Sequence, residues 1–457
     1  FAPYDNPLQT ALGENLVLRP KTGGIGILTS SRVVFAFSNR IINNNYLTAA
    51  LSPTGNFNFL TLGASVQKAK NMTYQSGSDV VNNRKFALIS DPALRLHFPQ
   101  SRVRVTEING QSPADADTLR AGSLVTVAAA VTDSLHNTLT NFTGTGYLTV
   151  YDKPQTVNTL GNDAASPPTS FQTQTTVLFR GKATVNAGRF QVSFRLPKDM
   201  SFAPGRGRFS LYAHNNILDG SGYSDSVLMG GATTLTANDG TGPQIKAWLN
   251  DETFVNGGIT GPNPVLLLRL TDSSGINSGG VGIDKDIVAT LDGDNQTFYV
   301  LNNFYEADVD SYQQGRVRFA FTNLPPGPHT LKIKAWDVLN NSNETELQFT
   351  VVNNEALELS RVYNYPNPFT TKTAFWFDHN QPGTQLRVQV QIFTVTGKLV
   401  RTLRQTINSS STRSTEVEWD GRDDFGAKTG RGVYLYRLTV HTPDGKSKSV
   451  LQRLVIL

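Results

Sequence analysis

Apolar and polar residues alternate along much of the chain, most regularly in its last hundred residues. Between residues 386 and 392 every second residue is Leu, Val or Ile, and Arg or Gln stands between them. A strand with one buried and one wet face produces this period of two. The runs end at turn signals such as Thr396-Gly397 and Pro443-Asp444-Gly445. The pattern therefore predicts an all-β module, which we place at residues 354–457.

Two further β-sandwiches are predicted upstream of that module, at residues 101–240 and 241–353. Short alternating runs separated by turns are typical of immunoglobulin-like sandwiches. In the second sandwich the alternating run at 331–336 ends in Trp336, which we expect in the core. Residues 155–175 are polar and contain two adjacent prolines, which predicts a long exposed loop.

Residues 1–100 follow a different pattern, with nearly continuous apolar runs at 23–29 and 86–89. Such runs are typical of strands that are buried on both faces of a mainly parallel sheet. Leu62, Val66 and Ala69 recur at helical spacing, and Asn43-Asn44-Asn45 is expected to cap a short helix over residues 46–51. Two strands and two helices make only a fragment of an α/β domain. The predicted fold class is therefore mostly β and multidomain, with an α/β fragment followed by β-sandwiches.

The composition of the chain excludes several kinds of site and a membrane-spanning helix. The chain contains no cysteine, which excludes disulfides, thiolate metal sites and a thiol nucleophile within these 457 residues. No run approaches the roughly 20 apolar residues of a transmembrane helix, so none is predicted.

The charge of the chain is concentrated at one end. The formal net charge is +5, and residues 355–457 carry 14 Lys and Arg against 9 Asp and Glu, the same excess. No basic run with interleaved aromatic residues occurs, so nucleic acid is not an expected partner. The excess indicates either a solvated β-face or a surface for an acidic partner.

Few residues offer chemistry of their own. No G-x-S-x-G or H-E-x-x-H motif occurs, and the six histidines are scattered. Asp292 and Asp294 are candidate calcium ligands, because Ca²⁺ takes hard oxygen ligands. The same segment, Asp292-Gly293-Asp294-Asn295, is also a good hairpin turn. Beyond possible calcium at this turn, no cofactor is predicted.

Five motifs follow one another in the C-terminal module. They are YPNPF at 365–369, VQIFTVTGKLV at 390–400, WDGRDDFG at 419–426, GRGVYLYRL at 430–438 and the closing RLVIL. In this order they resemble the C-terminal sorting domain of type IX secretion cargo, which is found on surface proteins of the Bacteroidetes. The residues that carry this sorting-domain motif are Pro366, Asn367, Pro368, Gly397, Asp420, Gly421 and Gly432. The resemblance implies an outer-membrane-associated protein on the cell surface that docks to a β-barrel protein of that system.

A second resemblance covers residues 1–100. Leu12-Gly13-Glu14, GGIGILTSSRVVFAF at 23–37 and KFALISDPALRLHFP at 85–99 resemble the last third of the caspase-like domain of gingipain-type cysteine peptidases. Within that group they are similar to the gingipain-like sortase of the type IX system. The resemblance implies an endopeptidase that removes sorting domains from cargo proteins, transfers the cargo to anionic lipopolysaccharide, and retains its own sorting domain.

The same resemblance places the candidate site residues. Ser31, Arg32 and Phe35 would lie near the substrate pocket, although Arg32 could equally pair with a carboxylate to hold the loop. The catalytic Cys and His of the family would both lie upstream of Phe1, so this chain alone is expected to be inactive. The alternative is a noncatalytic surface or adhesion protein exported by the same route. The α/β fragment favours the peptidase, because an adhesin has no use for it.

Overall fold

The computed structural model describes residues 10–19, 23–53, 58–77, 80–163, 166–233, 239–294, 297–352, 357–381, 383–409 and 411–457. Strands dominate these residues, and helices occur only before residue 85 apart from one short 3₁₀ turn. The predicted fold class, mostly β with an α/β fragment followed by β-sandwiches, is confirmed. No helix among the described residues is both long and apolar enough to cross a membrane.

The N-terminal fragment consists of helices and a small sheet. Its elements are α1 (Leu12–Leu18), β1 (Ile27–Ser30), α2 (Ala36–Leu51), α3 (Leu62–Gln75), α4 (Val80–Arg84) and β2 (Phe86–Ile89). Strands β1 and β2 pair with each other, Ile27 opposite Ile89, and the pairing is antiparallel. The prediction of parallel strands was therefore wrong for this pair. A continuous apolar run indicates that a strand is buried, but it does not indicate whether the strand pairs in a parallel or an antiparallel direction.

Helix α2 begins ten residues before the predicted short helix. Its N-terminal boundary residue is Phe35, and the three asparagines at 43–45 lie inside it. The predicted cap at Asn43-Asn44-Asn45 was wrong because a tertiary contact satisfies one of these side chains, the Asn45 amide, which donates to Thr73 Oγ1 of α3 at 2.9 Å. Helix α3, by contrast, was predicted correctly, with Leu62, Val66 and Ala69 all buried.

The first β-sandwich is formed by one continuous sheet that folds over its own core. Its strands are β3 (Ser101–Ile108), β4 (Leu119–Ala121), β5 (Leu124–Thr132), β6 (Gly144–Tyr151), β9 (Val177–Val185), β10 (Arg189–Arg195), β11 (Gly205–His214) and β12 (Asp219–Ala232), with the hairpin β7 (Gln155–Asn158) and β8 (Ser170–Thr173) outside it. The order along the sheet is β10-β5-β3-β12-β11-β6-β9, and β4 pairs with β12. Much of the segment predicted as a long loop is this two-stranded hairpin, whose residues are largely exposed.

The second sandwich has two separate sheets. Its strands are β13 (Gln244–Leu249), β14 (Gly258–Thr260), β15 (Val265–Thr271), β16 (Val288–Leu291), β17 (Phe298–Val300), β18 (Tyr305–Ala307), β19 (Gln314–Ala320), β20 (Gly327–Trp336) and β21 (Ser342–Val351). One sheet has the order β13-β15-β19-β18 and the other β14-β21-β20-β16-β17. Trp336 is only half-buried, with Lys334 and Lys285 against its ring. The prediction of a core Trp336 was wrong because the pleat of β20 turns Ala335 inward.

The C-terminal module is also a two-sheet sandwich. Its strands are β22 (Leu359–Tyr365), β23 (Thr373–His379), β24 (Thr384–Thr394), β25 (Leu399–Ser409), β26 (Arg413–Trp419), β27 (Gly432–His441) and β28 (Ser447–Ile456). The sheet orders are β22-β23-β26 and β25-β24-β27-β28. Leu386, Val388, Val390 and Ile392 all point into the core, as their alternation predicts.

Polar contacts join neighbouring sandwiches. Asp310 of the second sandwich accepts hydrogen bonds from the Thr184 amide and hydroxyl of the first, at 2.8 and 2.7 Å. Asp251 accepts one from the Thr412 amide of the C-terminal module at 3.2 Å. These hydrogen bonds connect each of the three sandwiches to the next one along the chain.

Candidate functional site

The loop after β1 carries the candidate pocket residues, and it is anchored at both ends. The Ser31 amide and hydroxyl both donate to the Lys85 carbonyl, at 2.8 and 3.0 Å. At the other end the Phe35 amide donates to Asn82 Oδ1 at 2.9 Å, and Lys85 Nζ donates to the Val33 carbonyl at 2.8 Å. The junction of α4 and β2 therefore fixes the path of residues 31–35.

Three side chains of this loop, those of Arg32, Val33 and Phe35, are exposed. Arg32 is exposed and makes no hydrogen bond or ion pair with any residue that the structure describes. Val33, Phe35 and Phe37 are 86%, 66% and 67% exposed, and Lys85 Nζ lies 5.8 Å from the centre of the Phe35 ring. The loop therefore combines an exposed cation with an exposed apolar rim.

The described residues around this loop contain no nucleophile with an adjacent base. Cysteine is absent from the whole chain. His97, the histidine of the N-terminal fragment, lies 3.4 Å from a carboxylate oxygen of Asp219 in the first sandwich.

One serine–histidine contact does occur, in the C-terminal module, but its polarity is wrong for catalysis. The Gln381 amide donates to His379 Nδ1 at 3.2 Å, so Nε2 carries the proton and donates to Ser409 Oγ at 2.7 Å. The Ser409 hydroxyl in turn donates to the Ser411 carbonyl at 2.7 Å. A general base must accept the hydroxyl proton. This contact is therefore structural.

The YPNPF segment binds the last strand of the chain. The Asn367 side chain accepts from the Val455 amide at 3.0 Å and donates to the Arg453 carbonyl at 3.4 Å. The Phe369 amide donates to the Val455 carbonyl at 3.1 Å, and the Leu457 amide donates to the Phe369 carbonyl at 2.9 Å. Cis peptide bonds precede both Pro366 and Pro368. The segment thus forms a short parallel ladder with β28.

The WDGRDDFG segment packs against the same place. Phe369 is buried, and its ring centre lies 5.6 Å from that of Trp419. Gly421 has a φ of +73°, and a Cβ there would lie 3.5 Å from the Phe369 ring. Asp420 accepts from the Arg422 amide at 3.1 Å, and Trp419 Nε1 donates to the Arg422 carbonyl at 2.8 Å. The segment is a compact turn that closes over Phe369.

All seven motif residues lie at one end of the C-terminal module. Gly432 pairs with Ile456, which in turn bridges to Phe369. Gly397, with a φ of +87°, forms the turn between β24 and β25. The turn at 420–424 is tied to β25 because the Asp424 amide donates to the Val400 carbonyl at 3.1 Å. Residues far apart in sequence therefore build one continuous end of the sandwich.

The calcium candidates lie in the turn between β16 and β17, where protein groups already occupy their carboxylates. Asp292 accepts from His329 Nδ1 at 2.7 Å and from the Thr330 amide at 2.8 Å. Asp294 accepts from the Thr297 hydroxyl at 2.8 Å. Of these contacts, the one from Thr297 lies within the turn, and the other two join the turn to strand β20. Calcium binding at this turn stays a prediction.

A group of carboxylates that sequence spacing did not indicate is assembled by the fold of the second sandwich. One oxygen each from Asp239, Asp272 and Asp337 lies within 4.8 Å of the others. Burial, followed by the negative charges of Asp337 and Asp239, raises the pKa of Asp272 to about 6. Neighbouring hydroxyls and amides donate to all three carboxylates. The three residues are 33 to 98 positions apart in sequence, so only the folded register could reveal them.

Comparison with known proteins gives a family match for the N-terminal fragment. Residues 1–97 match Peptidase family C25. No curated protein matches the chain.

Among solved structures, the chain is similar to dimeric latent PorU from Porphyromonas gingivalis, at 29% identity and a TM-score of 0.37. The similarity covers 94% of this chain and 41% of PorU, so the chain spans about two fifths of the length of that protein. The FN1-FN3 domains of chicken CNTN1 match at 11% identity and a TM-score of 0.17, over 77% of this chain and 97% of theirs. A tetra-tandem repeat of a large adhesion protein matches at 13% identity and a TM-score of 0.18, over 78% of this chain and 74% of that chain.

TM-scores of 0.17 and 0.18 carry no argument about function. The similarity to gingipain-type cysteine peptidases that the sequence indicates is confirmed, and it rests on residues 1–97, the part of the chain that matches Peptidase family C25.

Proposed function

We propose that this chain is the C-terminal part of a gingipain-like cysteine endopeptidase of the sortase type, exported by the type IX secretion system. The intact enzyme removes sorting domains from cargo proteins and transfers the cargo to anionic lipopolysaccharide on the cell surface. The match of residues 1–97 to Peptidase family C25 carries the proposal. Because the chain has no cysteine, the nucleophile is supplied by residues upstream of Phe1, and residues 1–457 alone are inactive. The order of catalytic residues in gingipain-type peptidases places the histidine partner upstream as well.

The exposed surface of the N-terminal fragment supports an upstream partner within the same domain. Large apolar side chains that are at least 65% exposed are concentrated here, namely Leu12, Leu18, Ile25, Val33, Phe35, Phe37 and Val81. Soluble domains rarely leave so much apolar surface in water. The upstream part of the peptidase domain would cover some of it and would present its cysteine beside the loop of residues 31–35.

In this proposal the loop contributes to the substrate pocket. Ser31 fixes the loop, Phe35 forms part of an apolar wall, and the exposed Arg32 binds an oxygen of the substrate chain. An arginine can donate two parallel hydrogen bonds to a carboxylate or one to a peptide carbonyl. Arg32 would therefore act in binding and leave the bond-breaking chemistry to the upstream pair.

The C-terminal module serves as the retained tether. Its ordered motifs form one end of the sandwich and fasten the last strand, which supports a folded docking domain. Its partner is an outer-membrane β-barrel protein of the secretion system, and the protein is located at the cell surface.

The test is covalent labelling of the intact protein with a thiol-directed peptide probe. We predict that the codons within about three residues upstream of Phe1 encode a Cys at a strand end, where a neighbouring imidazole can activate it. The intact protein is labelled, and the matched variant with that Cys changed to Ala is not. Another residue at the expected position, or an intact protein that resists labelling, would make the chain part of a noncatalytic surface protein.

The same assay tests the pocket. In the intact protein, Arg32→Gln slows labelling by about tenfold, as expected for the loss of one charge-assisted contact. The control is Arg40→Gln, which removes an equal charge from helix α2, where Arg40 packs over the Phe37 ring at 5.2 Å. Equal rates for both variants would remove Arg32 from the pocket.

A further inference from the structure

The outer face of the larger sheet in the C-terminal module presents a regular grid of side chains. Strand register places directly opposed residues on the same face. Four rows cross the strands in the order β25, β24, β27 and β28. They are Thr406–Arg387–His441–Ser447, Arg404–Gln389–Thr439–Ser449, Thr402–Gln391–Arg437–Leu451 and Leu399–Phe393–Leu435–Arg453. We call this grid the arginine face.

Each strand and each row of the arginine face contains one arginine, and no position holds Asp or Glu. Arg387, Arg404, Arg437 and Arg453 are all exposed, and none makes an ion pair with a described residue. Four of the other five arginines of the module are paired: Arg361 and Arg413 with Asp378, Arg401 with Asp424, and Arg422 with Asp420. Unpaired arginine is therefore concentrated on this one face.

Neighbouring neutral side chains organise the arginines without neutralising them. Arg404 Nε donates to Gln389 Oε1 at 3.3 Å, and the Arg437 guanidinium lies 5.9 Å from the Phe393 ring centre. A depression of about 480 Å³ opens between Arg387, Arg404 and His441. With strands about 4.8 Å apart and alternate residues about 6.8 Å apart, adjacent arginines such as 387 and 404 are roughly 8 Å apart at the backbone. Like charges at this spacing repel unless a counter-charge lies between them.

We propose that the arginine face is the docking surface for an acidic protein partner. Arginine is the cation that binds carboxylates in a planar, two-pronged geometry. One corner of the grid is apolar, formed by Leu399, Phe393, Leu435 and Leu451, and two of these, Leu399 and Leu451, are 44% and 54% exposed. Protein interfaces combine apolar anchors with arginine, and a purely saccharide ligand would leave the apolar corner uncovered. Two copies joined by this face around a twofold axis would oppose like charges, so a second copy is not the partner.

This inference deepens the tethering role and rests on that part of the proposed function, since it names the face and the chemistry of the tether's partner. The test uses the purified chain and needs no secretion or peptidase activity. Its failure therefore leaves the labelling test of the intact protein unaffected, and failure of that test leaves the binding result standing.

The probes are three ligands with equal numbers of carboxylates: a short peptide alternating Glu and Leu, one alternating Glu and Ser, and an oligogalacturonate. Affinities are measured by fluorescence anisotropy at physiological salt. The face variant is R387Q/R404Q/R437Q. The matched control, K398Q/K428Q/R431Q, removes the same charge from loops of the module, at residues that make no ion pair within the described part of the chain. A further variant, L399S/L451S, removes the exposed part of the apolar corner.

We expect the Glu-Leu peptide to bind most tightly. The face variant weakens its binding by about tenfold or more, since three charge-assisted contacts are lost. The loop control changes it by about twofold or less, because its three residues lie outside the grid and salt screens charges that make no direct contact with the ligand. L399S/L451S abolishes the advantage of Glu-Leu over Glu-Ser. Equal loss in the loop control, absence of binding, equally tight oligogalacturonate binding, or self-association that the face variant abolishes would each overturn the proposal.

Discussion

His379 is a buried histidine whose two ring nitrogens have fixed partners. Its Nδ1 accepts from the Gln381 amide and its Nε2 donates to Ser409, so the neutral ring satisfies both. Burial lowers the pKa of His379 to about 4, against the opposing effect of Asp378 and Asp251. A second proton would have to be placed on Nδ1, where it would face the Gln381 N–H.

This geometry predicts acid sensitivity of the C-terminal module. An unfolded histidine titrates near 6.5, so between about pH 6.5 and 4 the unfolded chain binds more protons than the folded one. The contribution of His379 to the free energy of unfolding is therefore fully present above pH 6.5. The free energy of unfolding falls by about 3 kcal/mol as the pH drops to 4. Urea titrations of the full chain at several pH values, read by pulsed hydrogen exchange on residues 384–394 and 432–441, measure it.

The control distinguishes His379 from the other titrating groups. His379→Gln should flatten the dependence between pH 6.5 and 5 in the C-terminal module. Asp272, with a pKa of about 6, titrates in the same range but belongs to the second sandwich, and exchange in residues 384–394 and 432–441 separates the two. The matched control is His441→Gln, which replaces a half-buried histidine on the outer face. A wild-type slope in His379→Gln would show that another group is responsible.

At the scale of elements, the last strand is held from two sides. Strand β28 pairs with β27 from Ser447 to Ile456, and the YPNPF segment binds its other edge near the end. Leu454 is fully buried and Ile456 is 6% exposed. Few strands tolerate loss of residues that both fill a core and complete two ladders.

We therefore predict that deletion of residues 454–457 prevents surface delivery and leaves the protein in the periplasm. The matched control deletes Leu457 alone, which is 57% exposed and contributes one backbone hydrogen bond to Phe369. Protease accessibility on whole cells with an active type IX system measures delivery. Normal display of the longer deletion would exclude the module as the delivery signal.

The sequence predicted strands far better than their arrangement. Alternation located β24 and the core residues Leu386 to Ile392 because the pleat imposes a period of two on any half-buried strand. It could not reveal that β1 and β2 are antiparallel or that Asn45 of one helix donates a hydrogen bond to Thr73 of another, because both depend on tertiary structure. The motif residues were named from resemblance, but their meeting at Phe369 and the arginine face depend on strand register, which composition does not encode.

At the scale of the molecule, the domains differ in how well they bury their own apolar surface. Each of the three sandwiches has a contiguous cluster of buried side chains that includes several large residues, such as Phe194, Phe349 and Phe377. The described buried apolar residues of the N-terminal fragment are few and mostly small: Ala11, Ile42, Ala49, Ala50, Leu62, Val66 and Ala69. Its β1–β2 pair is half-buried. A core this small offsets little of the entropy of ordering a hundred residues.

We therefore predict that residues 1–100 do not fold when expressed alone, whereas residues 101–457 do. The fragment should be poorly soluble and show no cooperative melting by circular dichroism, because its apolar side chains and the edges of its two-stranded sheet have nothing to pack against. Residues 101–457, the matched control, keep all three clusters and should melt cooperatively. Joining the fragment to the upstream part of the peptidase domain should restore its solubility and melting transition. A soluble, cooperatively melting 1–100 fragment would contradict both this prediction and the view that an upstream segment completes its sheet.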